Sequence, residues 1–160
     1  MIREFFRVLS EMTAVLPALR YRIPEDSETT SLGAVFEDTA ARFADNIMLI
    51  FEGRQWTYSQ FNVEVNQFAR LLASKGITRG DTVALFMENR AEYVLAMLAT
   101  VKLGASCSLI NNSLSGPGLI HCIEATGAKA CIVGEERVDV LDEVRSELSI
   151  REAGGYLWFA

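Results

Sequence analysis

The chain has 160 residues, a formal net charge of −6 and a single histidine, His121. That length holds one domain with a substantial core, and a 50% apolar content places it among globular rather than disordered chains. The acidic balance argues against a nucleic-acid partner, which would want a basic stripe, and one histidine leaves almost no material for a metal site or a Ser-His or Cys-His engine. Cys107, Cys122 and Cys131 form no C-x-x-C pair and lie in or beside apolar runs. They read as reduced, buried small hydrophobes, which fits a cytoplasmic compartment. No uninterrupted apolar run approaches the ~20 residues of a membrane span.

Residues 1–23 are expected to form an amphipathic helix. Ile2, Phe5, Phe6, Leu9, Met12, Leu16 and Leu19 recur at steps of three and four. Glu11 interrupts the apolar region and no small-residue cleavage site follows, so the stretch does not read as a signal peptide. Two readings stay open for residues 2–20. One is a helix lying on the inner face of a membrane, phenylalanines down and arginines towards lipid phosphates. The other is a helix packed on the domain or on a partner. Residues 24–30, PEDSETT, are a polar, acidic linker.

From Ser31 the elements alternate. Ser31 can cap a helix over residues 32–44, with Leu32, Val35, Phe36, Ala40 and Phe43 on one face. Residues 47–52 and 55–58 read as a hairpin turning at Gly53-Arg54, in the type II′ manner. Thr57 and Gln60 form a capping box for a helix whose stripe is Phe61, Val65, Phe68 and Leu72, ended by Gly76. Thr82–Phe86 is a strand. Asn89 and Glu92 suggest a second capping box, for a helix running to Leu103 and stopped by Gly104. A strand over 105–110, a helix over 115–126 with Pro117 in its first turn, a strand over 129–133 and a charged helix over 138–148 follow. Residues 150–160 break the pattern. The order predicts an α/β layered sandwich with a mainly parallel sheet plus a β-hairpin.

A parallel sheet invites a search for a phosphate cradle. There is no G-x-G-x-x-G after a strand, no G-x-x-x-x-G-K-[ST] and no G-x-S-x-G. Ser113–Gly118 follows a strand and carries glycine and serine, but lacks lysine, and Pro117 removes a donor. Glu88 and Glu92 flank Asn89-Arg90 at a strand's C-terminal end, where such sheets place ligands. His121, beside Leu119, Ile120 and Ile123, reads as a partly buried structural histidine. No residue is assigned a catalytic, cofactor-binding or metal-binding role.

The segment Trp56-Thr57-Tyr58-Ser59-Gln60-Phe61 resembles the first core motif of adenylate-forming enzymes, and Val101-Lys102-Leu103-Gly104-Ala105 resembles their second. The run from Gly80 through Glu136, with its FMENR and LIN–LIH segments, is similar to the fatty acid transport protein branch, the very-long-chain acyl-CoA synthetases. The likeness covers roughly residues 30–145. It implies the N-terminal portion of an acyl-CoA synthetase large domain, with residues 31–149 a partial AMP-binding domain. It also implies ATP, Mg²⁺, CoA and a fatty acid as cofactors and substrates of the whole enzyme. The phosphate loop, the magnesium glutamate, the ribose aspartate and the catalytic lysine of that family lie further along and have no counterpart here. The loop Asn111-Asn112-Ser113 stands where some relatives approach the CoA nucleotide, but its residue types differ and no contact is carried over.

The expected function is therefore an inactive N-terminal piece of a fatty acid–CoA ligase. A non-catalytic interaction or membrane-associating module is the alternative, and an unrelated nucleotide-binding domain is a third. Self-association is left open. The tail after Ser149 suggests a truncated or shifted reading frame, or a cut fragment.

Overall fold

In the computed structural model, residues 30–150 and 155–159 are described. The expected helix over 2–20 and the linker lie outside them, apart from Thr30. Ser31 accepts a hydrogen bond from the Ala34 N–H and opens α1, Leu32–Arg42. Only Gly33, Phe36 and Ala40 of this helix are buried. The expected five-residue stripe is thus narrower: Leu32, Val35 and Phe43 are exposed. Gly33 lets α1 come close to the backbone at Lys102. A Cβ there would lie 2.9 Å from the Lys102 Cα, so only glycine permits the approach.

Strands β1, Ile47–Phe51, and β2, Arg54–Thr57, pair antiparallel. Their turn is Glu52-Gly53, one residue earlier than expected. Both residues have positive φ, 48° and 78°, which makes it type I′ rather than II′. The primed turn supplies the twist that a two-residue connection needs. Thr57 and Gln60 then exchange the two hydrogen bonds of a capping box and launch α2, Tyr58–Ser74. Phe61, Val65, Ala69 and Leu72 are its buried face. Gly76, at φ 84°, follows it.

The parallel sheet begins with β3, Thr82–Phe86, continues through α3, Ala91–Lys102, and returns in β4, Ser106–Leu109. Helix α4, Gly116–Glu124, leads to β5, Ala130–Gly134. A 3₁₀ turn at Glu135–Arg137, the short α5, Val138–Asp142, and a second 3₁₀ turn at Arg145–Glu147 replace the single helix expected over 138–148. A fourth strand, β6, Tyr156–Phe159, pairs parallel with β5, where no element was expected. The sheet order is β4-β3-β5-β6.

That order dictates which helix covers which face. Right-handed crossovers put successive helices on one face while the chain moves one way across the sheet, and on the other face when it reverses. The chain goes from β3 outward to β4, then back across β3 to β5 and on to β6. So α3 lies on one face and α4 and α5 on the other. The cores agree. Val83, Leu85, Met87 and Ile132 pack with Phe61, Leu72, Leu95 and Ala99. Ala84, Phe86, Cys131 and Val133 pack with Leu119, Ile123, Leu141 and Val144. Successive residues of β3 alternate between the two layers, as a pleated strand must.

The candidate site at the strand ends

In a doubly wound sheet, the crevice opens outside the C-terminal ends of adjacent strands whose connections leave on opposite sides. Here those strands are β3 and β5. A cleft of about 420 Å³ lies there, lined by the β3 end (Glu88, Asn89, Arg90, Ala91, Glu92), the β5 end (Glu135, Glu136) and the hairpin (Phe51, Glu52, Arg54, Trp56). The sequence expectation for Glu88 and Glu92 is met in position: both line this cleft.

Their company is what local sequence could not give. Arg90 Nε donates to Glu92 Oε2 at 2.8 Å, and Arg90 Nη1 lies 3.5 Å from Glu136 Oε2 and 3.9 Å from Glu135 Oε1. The Glu88 N–H donates to Glu136 Oε1 at 2.6 Å. Arg137 Nη2 pairs with Glu88. The Arg90 guanidinium is held more firmly protonated than usual, first by its bond to Glu92. Burial pulls Glu136 upward, but the Glu88 N–H and the guanidiniums of Arg90 and Arg137 outweigh it, so its carboxyl titrates below the ordinary range. Glu92 behaves likewise: burial raises it, and the Arg90 bond brings it below its usual value.

This network also explains the missing capping box. Glu92 is engaged by Arg90 and does not reach back to the expected Asn89; Arg90 is the residue before α3 and supplies no side-chain cap. Arg54 stacks over the Trp56 ring, 4.4 Å from its centroid, and Trp56 donates to Glu64 at 3.2 Å.

The loop Ser113–Gly118 has at least one amide engaged within the chain. Asn111 Oδ1 already takes the Ser113 N–H at 2.9 Å. Gly116 and Pro117 border a separate groove with His121, Glu124, Glu143 and Glu147, whose carboxylates repel phosphate. His121 itself is exposed, contrary to the expected partial burial. Leu119 and Ile123 take the buried face of α4, and a residue midway between them in sequence points about 160° away. Cys131 is fully buried, and burial pushes its thiol up to about 12; Cys107, half-buried, is pushed up to about 11.

Among the described residues no group of three or more His, Cys, Asp or Glu is arranged to hold a metal ion. The cleft sets five carboxylates against two guanidiniums. A nucleoside triphosphate with Mg²⁺ does not fit such a lining: its phosphates meet like charge and its metal meets no ligand set.

The fold and cleft define a doubly wound α/β scaffold of flavodoxin-like strand order with an acidic cleft at its switch point. The model of the AMP-binding enzyme family matches residues 36–155, so the chain belongs to that family. It is 35% identical over 138 residues to the medium/long-chain fatty-acid–CoA ligase FadD6 of Mycobacterium tuberculosis, covering 86% of this chain and 23% of that protein. It is 32% identical over 142 residues to long-chain fatty acid transport protein 2 of Rattus norvegicus, covering 88% and 22%. A solved fatty acyl-CoA synthetase from M. tuberculosis superposes with a TM-score of 0.72 at 26% identity, covering 79% of this chain and 26% of that one. The anthranilate CoA ligase AuaEII, solved with anthranoyl-AMP, gives 0.71 at 28%, covering 75% and 23%. The chain therefore resembles the N-terminal part of fatty acid–CoA ligases and spans less than a quarter of the length of the two curated relatives.

Proposed function

We propose that this chain is the N-terminal scaffold of an ATP-dependent fatty acid–CoA ligase and is catalytically silent alone. In the whole enzyme a fatty acid carboxylate attacks the α-phosphate of ATP, releasing pyrophosphate and giving acyl-AMP. The CoA thiol then attacks the activated carbonyl and releases AMP. Both steps need a cradle for phosphate charge and a cation at the transferring group. The observation that carries the reading is the acidic, internally paired cleft at the one position where this sheet would offer a nucleotide its crevice. The partial AMP-binding domain is placed at residues 31–149. The purified 160-residue chain, given ATP, Mg²⁺, CoA and a long-chain fatty acid, is expected to form no acyl-CoA thioester. Thioester formation above the no-enzyme control refutes the reading.

A second reading rests on the amphipathic spacing of residues 2–20: a non-catalytic module of cytoplasmic location that contacts the inner face of a membrane. No described helix is long and apolar enough to cross a membrane. Co-sedimentation with liposomes that disappears on deleting residues 1–23 supports this second reading; equal sedimentation of both forms removes it.

A further inference from the structure

The Glu136 carboxylate stands where a ligand of this sheet would stand. It accepts the Glu88 N–H at 2.6 Å and lies 3.5 Å from Arg90 Nη1. A backbone N–H just beyond a strand end and a guanidinium are the donors an oxyanion would choose. The carboxylate presses so closely on Gly134 that a Cβ there would collide with it. Glycine at the end of β5 is what admits it.

A simple brace between the two strand ends does not require this arrangement. Arg137 and Glu88 already tie the β5 turn to the β3 turn. Glu136 adds something different: it occupies a backbone donor and a cation together. The other carboxylates of the cleft, Glu52, Glu88, Glu92 and Glu135, then leave the remaining space repulsive to anions.

We propose that Glu136 is an internal plug, whose carboxylate fills the oxyanion-accepting corner between β3 and β5 and keeps phosphate- and carboxylate-bearing ligands out. This deepens the reading that nucleotide is held elsewhere, and its test measures a single amide rather than thioester formation, so either can fail without the other.

The test follows the Glu88 amide by NMR in the ¹⁵N-labelled full chain. In the natural sequence this amide is expected to exchange slowly with solvent and to stay unshifted on adding millimolar inorganic phosphate. In Glu136→Ala it is expected to exchange roughly tenfold faster or more, because a hydrogen bond to a charged acceptor is gone. Phosphate should then shift it in a saturable way. Glu136→Gln keeps an acceptor without charge, so exchange should stay slow and the phosphate shift small. Gly134→Ala should crowd the carboxylate out and speed exchange while its charge still opposes phosphate. Acetate at equal ionic strength separates a corner selective for carboxylate from one selective for phosphate. Unchanged Glu88 exchange in Glu136→Ala, or no saturable shift with either anion, overturns the plug, as does a phosphate shift in the natural sequence. Should Glu136→Ala not fold, the Gln and Gly134→Ala variants decide by the exchange rates stated for them.

Discussion

The Lys102 side chain is only 11% exposed, yet its ammonium is fully occupied. It donates to Asn62 Oδ1 at 2.6 Å and Asn66 Oδ1 at 2.7 Å on α2, pairs with Glu37 on α1, and lies 5.5 Å from the Phe36 ring centroid. One side chain on α3 thus fastens two other helices. Lys102→Met keeps the stem but leaves two part-buried amide oxygens without their donor. The expected loss is about 1–3 kcal/mol in urea unfolding, mainly from the asparagines, since Glu37 is more than half exposed. Gly33→Ala attacks the same junction by sterics: its Cβ meets backbone, which cannot swing aside, so α1 must lift at a cost of about 1–3 kcal/mol. A loss under a few tenths of a kcal/mol in either variant contradicts this account of the junction.

Carboxylates set the acid limit at the same scale. Asp81 is held below its usual range first by its bond to Lys129 and then by the Thr78 N–H, and Glu37 first by its bond to Lys102. Glu124 is lowered by the Ser149 hydroxyl and N–H, and Glu136 by the groups named above. A carboxyl depressed in the folded state stabilises above its unfolded pKa, and that contribution fades as pH falls through the folded value. The melting temperature is therefore expected to be flat from about pH 6 to 8 and to drop below about pH 4. A fall already complete by pH 5 contradicts the assignments.

At the scale of elements, what could be read in advance was whatever a few neighbouring residues decide. Ser31, the Thr57–Gln60 box and the glycines at 76 and 104 mark helix ends because capping and left-handed backbone are local chemistry. The Thr57 cap is a direct test: Thr57→Ala is expected to cost about 1 kcal/mol and Thr57→Ser much less, measured by urea unfolding. Equal loss in both shifts the effect to the methyl group. The departures have separate causes. The Asn89 box satisfied every local rule and is absent because Glu92 is taken by Arg90, itself drawn to Glu135 and Glu136. The ties that shape the cleft join residues 46 to 49 positions apart, so spacing gave the strand-end location but not its plugged state. His121 has apolar neighbours in sequence, but the face of α4 it occupies decides its exposure. Strand β6 is silent in the sequence because four successive apolar residues carry no alternation to announce a strand, and its pairing with β5 defines it.

For the whole molecule, the sheet's outer strands matter. Leu109 on β4 and Trp158 on β6 are each about half exposed, and Ile47 and Ile50 of β1 also face outward. Among the described residues no further strand pairs these edges, and apolar side chains on such edges favour association. Sedimentation velocity is expected to show concentration-dependent self-association of the isolated chain; one sharp monomer boundary at all concentrations contradicts it.

β3 is a party wall. Val83 and Leu85 furnish one room and Ala84 and Phe86 the other, so neither room can be emptied while the other stays furnished. A shift of the strand by a single residue would send the Phe86 ring into the space meant for Leu85 or Met87, and one of those two side chains into the space meant for the ring. Heating should therefore dismantle both sides at once, with aromatic and backbone circular dichroism tracing one curve.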